Sequence, residues 1–290
     1  MVRITPLHKL FAAEVTGLDL ASGPDDATFE TIRRAFATRS VLVFRDQDID
    51  DEQQIRFSRR FGELETTKVG TSGAGSQLVI LSNLAPDGSI VPPTSRQMLN
   101  NRANRFWHAD SSFKPVPAKA SMLSARIIPS EGGDTQYCCM RAAYAELPQR
   151  LKDAVEGRVA VHDYGWSRSK VDPDLVTEEE KRAVPPVRQA MVLDHGPELG
   201  RSLYLGAHAA RVEGMDEAAG RALIDELMAF CTQERFVYSH EWRPHDLVLW
   251  NNRAVLHRAT PFRGSDEARH MVRTTIAGDG PTVETPHIAA

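Results

Sequence analysis

Hydrophobic residues recur at the three- and four-residue spacing of an amphipathic helix in five stretches of the chain. In the first of them, Phe29, Ile32 and Phe36 fall on one side. The pattern predicts helices over residues 26–38, 51–61, 141–147, 148–155 and 216–231. Asp50 stands where an N-cap would begin the second helix, because its side-chain oxygen can accept from a free backbone N–H. We expect the apolar stripes to pack against a core, which is their usual role.

Short runs of apolar and β-branched residues, separated by Gly, Pro, Asn and Asp, account for most of the remaining pattern. They predict strands at residues 41–44, 78–81, 121–128, 135–139, 159–162, 189–193, 202–205, 235–242, 247–250, 255–257 and 271–276. Strands and helices do not alternate regularly, which disfavours a doubly wound parallel sheet. The sequence instead predicts a mainly β fold with flanking helices (α+β), built as a sandwich or jelly roll in one domain over residues 1–290.

Two polar stretches, residues 66–76 and 167–188, predict long loops. Long loops in a compact domain are often lids over a binding site. We therefore expect lid segments near residues 66–105 and 163–190. The glycines of the first stretch do not form a phosphate-binding loop, because no Gly-Lys-Ser/Thr follows them.

Composition and charge exclude several classes of function. The net charge is −4 and the pI is about 6.2, so no basic surface predicts a nucleic-acid partner. No stretch of 18 apolar residues predicts a membrane span. The three cysteines are Cys138, Cys139 and Cys231. Their odd number and the lack of a Cys-x-x-Cys spacing argue against disulfides and a structural zinc site. With no recognisable signal peptide, we expect a cytoplasmic protein.

The motif that indicates chemistry is His108-Ala-Asp110. On an extended segment, residues i and i+2 project to the same side, so an imidazole and a carboxylate could share one divalent metal ion. Alone this signal is weak, because ten histidines and 39 acidic residues in 290 positions (10 × 39/290) predict about one such pair by chance. The alternative is a histidine beside an unrelated aspartate. The pair is nevertheless the only His-x-Asp/Glu in the sequence.

His257 is the candidate for a third ligand. It ends the second of two short predicted strands, which are joined by a turn at residues 251–252. In a folded-over sheet it can close onto His108 and Asp110. Two imidazoles and one carboxylate on one face of an octahedron leave three open positions, an arrangement typical of oxygen-activating Fe(II). Zinc sites usually have other ligand sets and one open position.

A candidate anion site lies near the end of the chain. Arg269 and Arg273 are four residues apart at the last predicted strand and therefore point to the same side. A planar guanidinium binds a carboxylate through two parallel hydrogen bonds. Thr135, after a Gly-Gly-Asp turn, could donate its hydroxyl to the same carboxylate. Taken singly, these residues could equally be surface salt-bridge partners and an ordinary turn.

Together, these motifs resemble the TauD/TfdA family of 2-oxoglutarate-dependent dioxygenases. The shared order is His-x-Asp, Gly-Gly-Asp-Thr, a distal His and then Arg. The similarity covers nearly the whole chain, from Pro-Leu-His-Lys-Leu-Phe-Ala-Ala at Pro6 to the Arg-x-x-x-Arg that ends at Arg273. Within the family, the 2,4-dichlorophenoxyacetate dioxygenase branch is more similar than the taurine branch.

The resemblance implies a double-stranded β-helix (jelly-roll) core and an Fe(II) ion held by His108, Asp110 and His257. The distal carboxylate of the cosubstrate 2-oxoglutarate would then be bound by Arg269 and Thr135. O2 would be the oxidant.

The resemblance also implies contacts to the substrate. Arg273 occupies a position that often faces the substrate's anionic group or flanks the cosubstrate, and Asn104 matches a substrate-contacting position of the taurine enzyme. Lys68 matches a lysine implicated in carboxylate recognition in the phenoxyacetate branch. His208 and His195 are further candidates, with a structural role as the alternative.

The sequence therefore predicts an enzyme that hydroxylates a small organic anion, such as an aryloxyacetate-like carboxylate, and releases succinate and CO2. Ether cleavage would follow where the attacked carbon bears an ether oxygen. The alternatives are a sulfonate or sulfate-ester dioxygenase of the same fold, a zinc-dependent hydrolase that uses the same three ligands, and a non-catalytic binding protein. The family resemblance further implies a homo-oligomer, either a dimer or a tetramer.

Overall fold

The computed structural model describes residues 1–67 and 73–283. Its strands are β1 (Arg3–Pro6), β2 (Ala13–Thr16), β3 (Val41–Phe44), β4 (Leu78–Ser82), β5 (Ala120–Ile127), β6 (Thr135–Cys139), β7 (Val159–His162), β8 (Val187–Ala190), β9 (Val192–Asp194), β10 (Arg201–Leu203), β11 (Ala209–Val212), β12 (Val237–His240), β13 (Leu247–Asn251), β14 (Val255–Ala259) and β15 (His270–Ile276). Its helices are α1 (Asp26–Arg39), α2 (Asp51–Arg59), α3 (Arg96–Ala103), α4 (Met140–Ala145), α5 (Gln149–Val155), α6 (Tyr164–Ser169), α7 (Glu178–Ala183) and α8 (Glu217–Cys231), with a 3-10 turn at Glu234–Phe236.

The largest sheet has seven strands in the order β1-β2-β3-β13-β5-β15-β4. Its neighbours are antiparallel except β2 and β3, which are parallel. The central strands β5 and β15 pair along their lengths, with Arg273 opposite Leu123. Strands that are far apart in sequence are neighbours in this sheet, so residues from distant parts of the chain lie on the same face of the sheet.

A smaller sheet, β12-β6-β14, faces the large one. Val41 and Val248 of the large sheet share a buried core with Tyr137 and Val255 of the small sheet. Two sheets that are mainly antiparallel and share a core form the sandwich of a jelly roll. The predicted mainly β architecture with flanking helices is confirmed.

Helices α1 and α2 cover the other face of the large sheet. Phe61, just after α2, makes edge-to-face contacts with Phe29, Phe36 and Phe57, with ring centroids 4.9 to 5.6 Å apart. Such pairs contribute beyond the area that they bury. The predicted apolar stripes therefore act as core, as expected.

The helix boundaries follow from capping side chains. Asp50 accepts from the backbone N–H of Gln53, whose side chain bonds back to the Asp50 N–H, so the predicted cap is confirmed as a full capping box. Asp216 caps α8 by accepting from the N–H of Ala219, and the helix starts one residue later than predicted.

Helix α8 packs on a second core, beneath the sheet β11-β7-β8. Leu223, Ile224 and Leu227 supply its buried side, as the predicted stripe requires. Among the described helices, none combines the length and the apolar character needed to cross a bilayer.

The prediction of a continuous loop over residues 167–188 is wrong. The stretch holds the end of α6 and all of α7, which Thr177 and Glu180 start with a capping box. The apolar pattern could not reveal α7, because none of its residues is buried. Helix α3 was missed in the same way: its one buried residue is Ala103. Residues 68–72 of the predicted 66–76 loop lie outside the described residues.

Candidate metal centre and adjoining cavities

A backbone bridge between two distant segments creates the centre. The N–H of His108 donates to the carbonyl of His257 at 3.0 Å, and the N–H of His257 donates to the carbonyl of His108 at 2.9 Å. His257 lies within β14, whereas His108 is in the segment that leads into β5. Sheet pairing thus brings together two side chains separated by about half the chain.

The three predicted ligands form one buried cluster. Their candidate ligand atoms all lie within 4.8 Å of one another. The Nε2 of His108 lies 3.9 Å from one carboxylate oxygen of Asp110, and the Nε2 of His257 lies 3.7 Å from the other. Each residue is less than 9% exposed. Two imidazole nitrogens and a carboxylate that converge in this way can hold one divalent metal ion.

Both histidines suit metal ligation in their protonation state. Burial lowers the pKa of His108 and lowers that of His257 well below its usual range, so both rings are neutral near pH 7. His108 Nδ1 lies 2.8 Å from the carbonyl of Phe106. That bond fixes the proton on Nδ1 and leaves the Nε2 lone pair for a metal. The Nδ1 of His257 is buried without a partner in the described chain.

Asp110 is held by a hydrogen-bonded relay through the core. Ser121 donates to Asp110 Oδ2 at 2.7 Å, and Asn252 donates to Ser121 at 2.9 Å. The side-chain oxygen of Asn252 accepts from the backbone N–H of Asp110 and from the indole of Trp250. Each polar group of this relay therefore has a partner, which fixes the carboxylate before any metal binds.

Arg273 also contacts this carboxylate. Its Nη1 donates to Asp110 Oδ1. Burial opposes ionisation of Asp110, but the charge of Arg273, with smaller contributions from the two imidazoles and from the Ser121 hydrogen bond, outweighs it and lowers the pKa of Asp110 to about 2. Asp110 is consequently a carboxylate at any physiological pH.

Beside the cluster, an inner cavity is lined by Arg269 and Thr135 together with both histidines. The Nε of Arg269 is buried and unpartnered, and the guanidinium donates to the carbonyl of Gly133 at 3.2 Å. Burial lowers the pKa of Arg269 to about 10, which leaves it charged. No carboxylate pairs with it in the described part of the chain. An enclosed, unbalanced guanidinium with a free N–H fits the carboxylate of a small bound anion.

The Gly-Gly-Asp-Thr turn allows this close approach. Gly132 and Gly133 have φ values of +71° and +73°, a region that side chains rarely adopt. A Cβ on Gly133 would stand 3.3 Å from Arg269 Nε, and one on Gly132 would stand 2.6 Å from a backbone carbonyl. The turn delivers Thr135 to the cavity, where its Oγ accepts from the indole N–H of Trp242 at 3.0 Å. The hydroxyl hydrogen of Thr135 remains available to a ligand.

An outer cavity of about 650 Å³ opens on the other side of His108. Asn104 and Arg273 line both cavities, at their junction. His208 lines the outer one, where burial and the nearby Arg168 hold the pKa of His208 well below its usual range. The structure thus brings these three predicted substrate residues next to the metal cluster. Lys68 lies outside the described residues.

Other predicted residues lie elsewhere. His195 bonds Ser202 within the β9–β10 hairpin and lines neither cavity. Sequence patterns did not predict a role for the relay residues Ser121 and Asn252 or for the indole of Trp242. The only local signal was the position of Asn252 in the predicted turn. The sequence around Ser121 does not distinguish it from other serines on strands.

Two facing sheets with an open His-Asp-His cluster define the class of jelly-roll metal-binding proteins. Residues 3–275 match the family model described as "Taurine catabolism dioxygenase TauD, TfdA family". The chain belongs to the TauD/TfdA family.

Named relatives agree with this assignment. The chain is 40% identical over 279 residues to an alpha-ketoglutarate-dependent 2,4-dichlorophenoxyacetate dioxygenase of Cupriavidus pinatubonensis, covering 94% of this chain and 97% of that one. It is 38% identical over 290 residues to an (S)-phenoxypropionate/alpha-ketoglutarate-dioxygenase of Sphingobium herbicidovorans, a match that covers 97% of this chain and 96% of that one. The crystal structure of AAD-2 in complex with Mn(II) and N-oxalylglycine superposes with a TM-score of 0.91 at 40% sequence identity. The superposition covers 98% of this chain and 100% of that one. The predicted family and jelly-roll fold are confirmed.

Proposed function

We propose that this protein is an Fe(II)- and 2-oxoglutarate-dependent dioxygenase that hydroxylates a small organic carboxylate of the aryloxyacetate type. The observation that carries the proposal is the pairing of two features in one pocket. An open His-Asp-His cluster adjoins a buried arginine that lacks a carboxylate partner in the described chain. The names of the relatives support the proposal, since one is an alpha-ketoglutarate-dependent 2,4-dichlorophenoxyacetate dioxygenase and the other an (S)-phenoxypropionate/alpha-ketoglutarate-dioxygenase.

His108, Asp110 and His257 would hold the iron, a ligand set typical of oxygen-activating Fe(II). When bound, the iron, with 2-oxoglutarate and O2, supplies the oxidation that converts a substrate C–H into C–OH while succinate and CO2 are released. The relay from Asn252 through Ser121 keeps the carboxylate oriented, so ligation requires little rearrangement.

Arg269 and Thr135 would bind the distal carboxylate of 2-oxoglutarate. The guanidinium supplies the charge, and the Thr135 hydroxyl donates its hydrogen because its oxygen already accepts from Trp242. Ordering the cosubstrate in this way directs its other end toward the cluster. Trp250, which also lines the inner cavity, helps to exclude water.

The substrate would occupy the outer cavity, with Asn104, His208 and Arg273 around it. Where the hydroxylated carbon bears an ether oxygen, the resulting hemiacetal collapses to an alcohol and a carbonyl, so the C–O bond breaks without a further oxidant. We include Lys68 among the proposed substrate contacts on the family resemblance alone. The segments 66–105 and 163–190 are proposed as lids, since residues of both line the outer cavity.

A sulfonate or sulfate-ester substrate is the second candidate. The family description itself names taurine, which is a sulfonate, and a guanidinium binds sulfonates as readily as carboxylates. A zinc-dependent hydrolase is less well supported, because hydrolysis gives no role to the anion site at Arg269.

We also propose a cytoplasmic location and a homo-oligomeric state, a dimer or a tetramer. The three cysteines are free and buried, which suits a reducing compartment. Light scattering of the purified protein tests the oligomeric state.

The decisive experiment reconstitutes the metal-free protein anaerobically with Fe(II) and 2-oxoglutarate. We expect a weak visible charge-transfer band in the wild type and none in Asp110→Ala. Succinate release is then scored across aryloxyacetates, sulfonates and sulfate esters. A folded wild-type protein that gives no band and prefers zinc would reject the dioxygenase proposal.

A further inference from the structure

Four cationic side chains among the described residues line the outer cavity, and three of them have a carboxylate partner. The pairs are Arg96 with Glu180 at 2.5 Å, Lys114 with Glu65 at 2.6 Å, and Arg273 with Asp110. An ion pair reduces the net charge that either member offers to a ligand. The charges of these three cations are therefore largely compensated within the protein.

Arg168 is the fourth cation, and no ion pair or side-chain hydrogen bond engages its guanidinium in the described chain. Its Nε is buried and unpartnered. The guanidinium lies over the ring of Tyr164, with 4.8 Å from Cζ to the ring centroid. Stacking of this kind fixes the plane of the guanidinium while its N–H groups at the edge stay free for an anion.

Three aromatic rings beside Arg168 form a wall of the outer cavity. Phe113 packs against both Tyr164 and His208, with ring centroids 4.9 Å apart in each case. Tyr164 and His208 stack nearly in parallel at 6.3 Å. The wall lines the same cavity as His108 and Asp110. Burial is the main cause of the lowered pKa of His208, and the charge of Arg168 lowers it further.

We propose that Arg168 is a specificity-determining residue that receives the anionic group of the substrate, while the wall of Phe113, Tyr164 and His208 contacts an adjoining flat apolar group. Arg273 then serves chiefly as the counter-ion of Asp110. This inference rests on the proposed function, because it assigns the outer cavity to the substrate. The ligand class is a carboxylate or a similar oxyanion carried by an aromatic or other planar group.

The test measures binding without turnover. Wild type and Arg168→Gln are loaded with Mn(II) and N-oxalylglycine and titrated calorimetrically with phenoxyacetate and with its neutral analogue phenoxyacetamide. We expect Arg168→Gln to weaken phenoxyacetate binding by about 10- to 100-fold, because a charge-assisted hydrogen-bonded pair is lost. The affinity for the neutral amide should change by less than threefold. Arg150→Gln, which removes an exposed cation paired with Glu226 outside both cavities, is the matched control and should change the affinity for either ligand by less than threefold.

Several results would overturn the assignment. One is an unchanged affinity of Arg168→Gln for phenoxyacetate. Another is an equal loss for acid and amide, which would show that Arg168 only supports the shape of the wall. Arg168→Lys keeps the charge but cannot form a bidentate pair with a carboxylate. Its preference for phenoxyacetate over phenoxyacetamide should therefore fall severalfold. If Arg168→Gln does not fold, an unchanged preference in Arg168→Lys rejects the proposal.

Succinate assays separate this inference from the proposed function. If phenoxyacetate binds with an acid preference that depends on Arg168 but no tested anion supports succinate release, the reaction is wrong and the anion site stands. If turnover proceeds and Arg168→Gln retains the wild-type preference for the acid, the reaction stands and the role of Arg168 is wrong.

Discussion

Replacement of Ser121 by alanine tests whether the buried relay prepares the metal site. The hydroxyl of Ser121 is fully enclosed, donates to Asp110 at 2.7 Å and accepts from Asn252 at 2.9 Å. A hydrogen bond to a buried charged group contributes about 1.5–3 kcal/mol. Loss of a partner that orients a metal ligand typically reduces metal affinity about 10- to 100-fold, which is about 1.4–2.8 kcal/mol. The two estimates agree.

The assay is calorimetric titration of the metal-free protein with Mn(II), which resembles Fe(II) in its ligand preferences but does not oxidise readily. We expect Ser121→Ala to bind Mn(II) about 10- to 100-fold more weakly than the wild type. Ser124→Ala is the matched control, because Ser124 is equally buried on β5 but three residues further on. It should leave the affinity within threefold. Wild-type Mn(II) affinity in a folded Ser121→Ala protein would refute the idea that the relay organises Asp110.

Three further predictions concern stability and the anion site. Burial lowers the pKa of His162 to about 3, so below about pH 6.5 the unfolded chain binds a proton that the folded chain does not. The stability that this neutral ring confers is complete above pH 6.5 and is lost as the pH falls toward 3. Urea unfolding at pH 7.5 and 5.0 should show about 2 kcal/mol less acid destabilisation in His162→Gln than in the wild type, and equal losses would contradict this assignment. Trp242→Phe removes the N–H that holds Thr135, and calorimetry should show N-oxalylglycine binding about 2- to 10-fold more weakly with Mn(II) affinity unchanged. Mn(II) at 100 times its Kd should raise the unfolding free energy by about 2.7 kcal/mol. EDTA should reverse this effect, and Asp110→Ala should not show it. The same increase in Asp110→Ala would argue against the cluster as the metal site.

Local patterns predicted most of the elements whose own residues bury an apolar face, although β2 and β11, which bury two residues each, were missed. The stripe of α8 and the capping residue Asp50 specified their helices with only small errors at the ends. Elements stabilised mainly by caps and tertiary contacts were missed. Helix α7 buries no residue, and β1 exists as a strand only because it pairs with β2. Patterns of burial cannot reveal elements that bury little.

The groups that carry the chemistry are visible in the amino-acid sequence: one His-x-Asp pair, a distal histidine, two arginines four residues apart and a glycine turn before Thr135. Their order was sufficient to predict the family, because each residue type matches one requirement of the chemistry. The tertiary structure decided which side chains support them. Three features depend on the packing of segments far apart in the chain: the relay through Ser121 and Asn252, the indole that holds Thr135, and the Arg168 guanidinium, which has no ion-pair partner among the described residues. A hydrogen bond or an unbalanced charge of this kind is a property of the packed environment and leaves no periodic signal in the sequence.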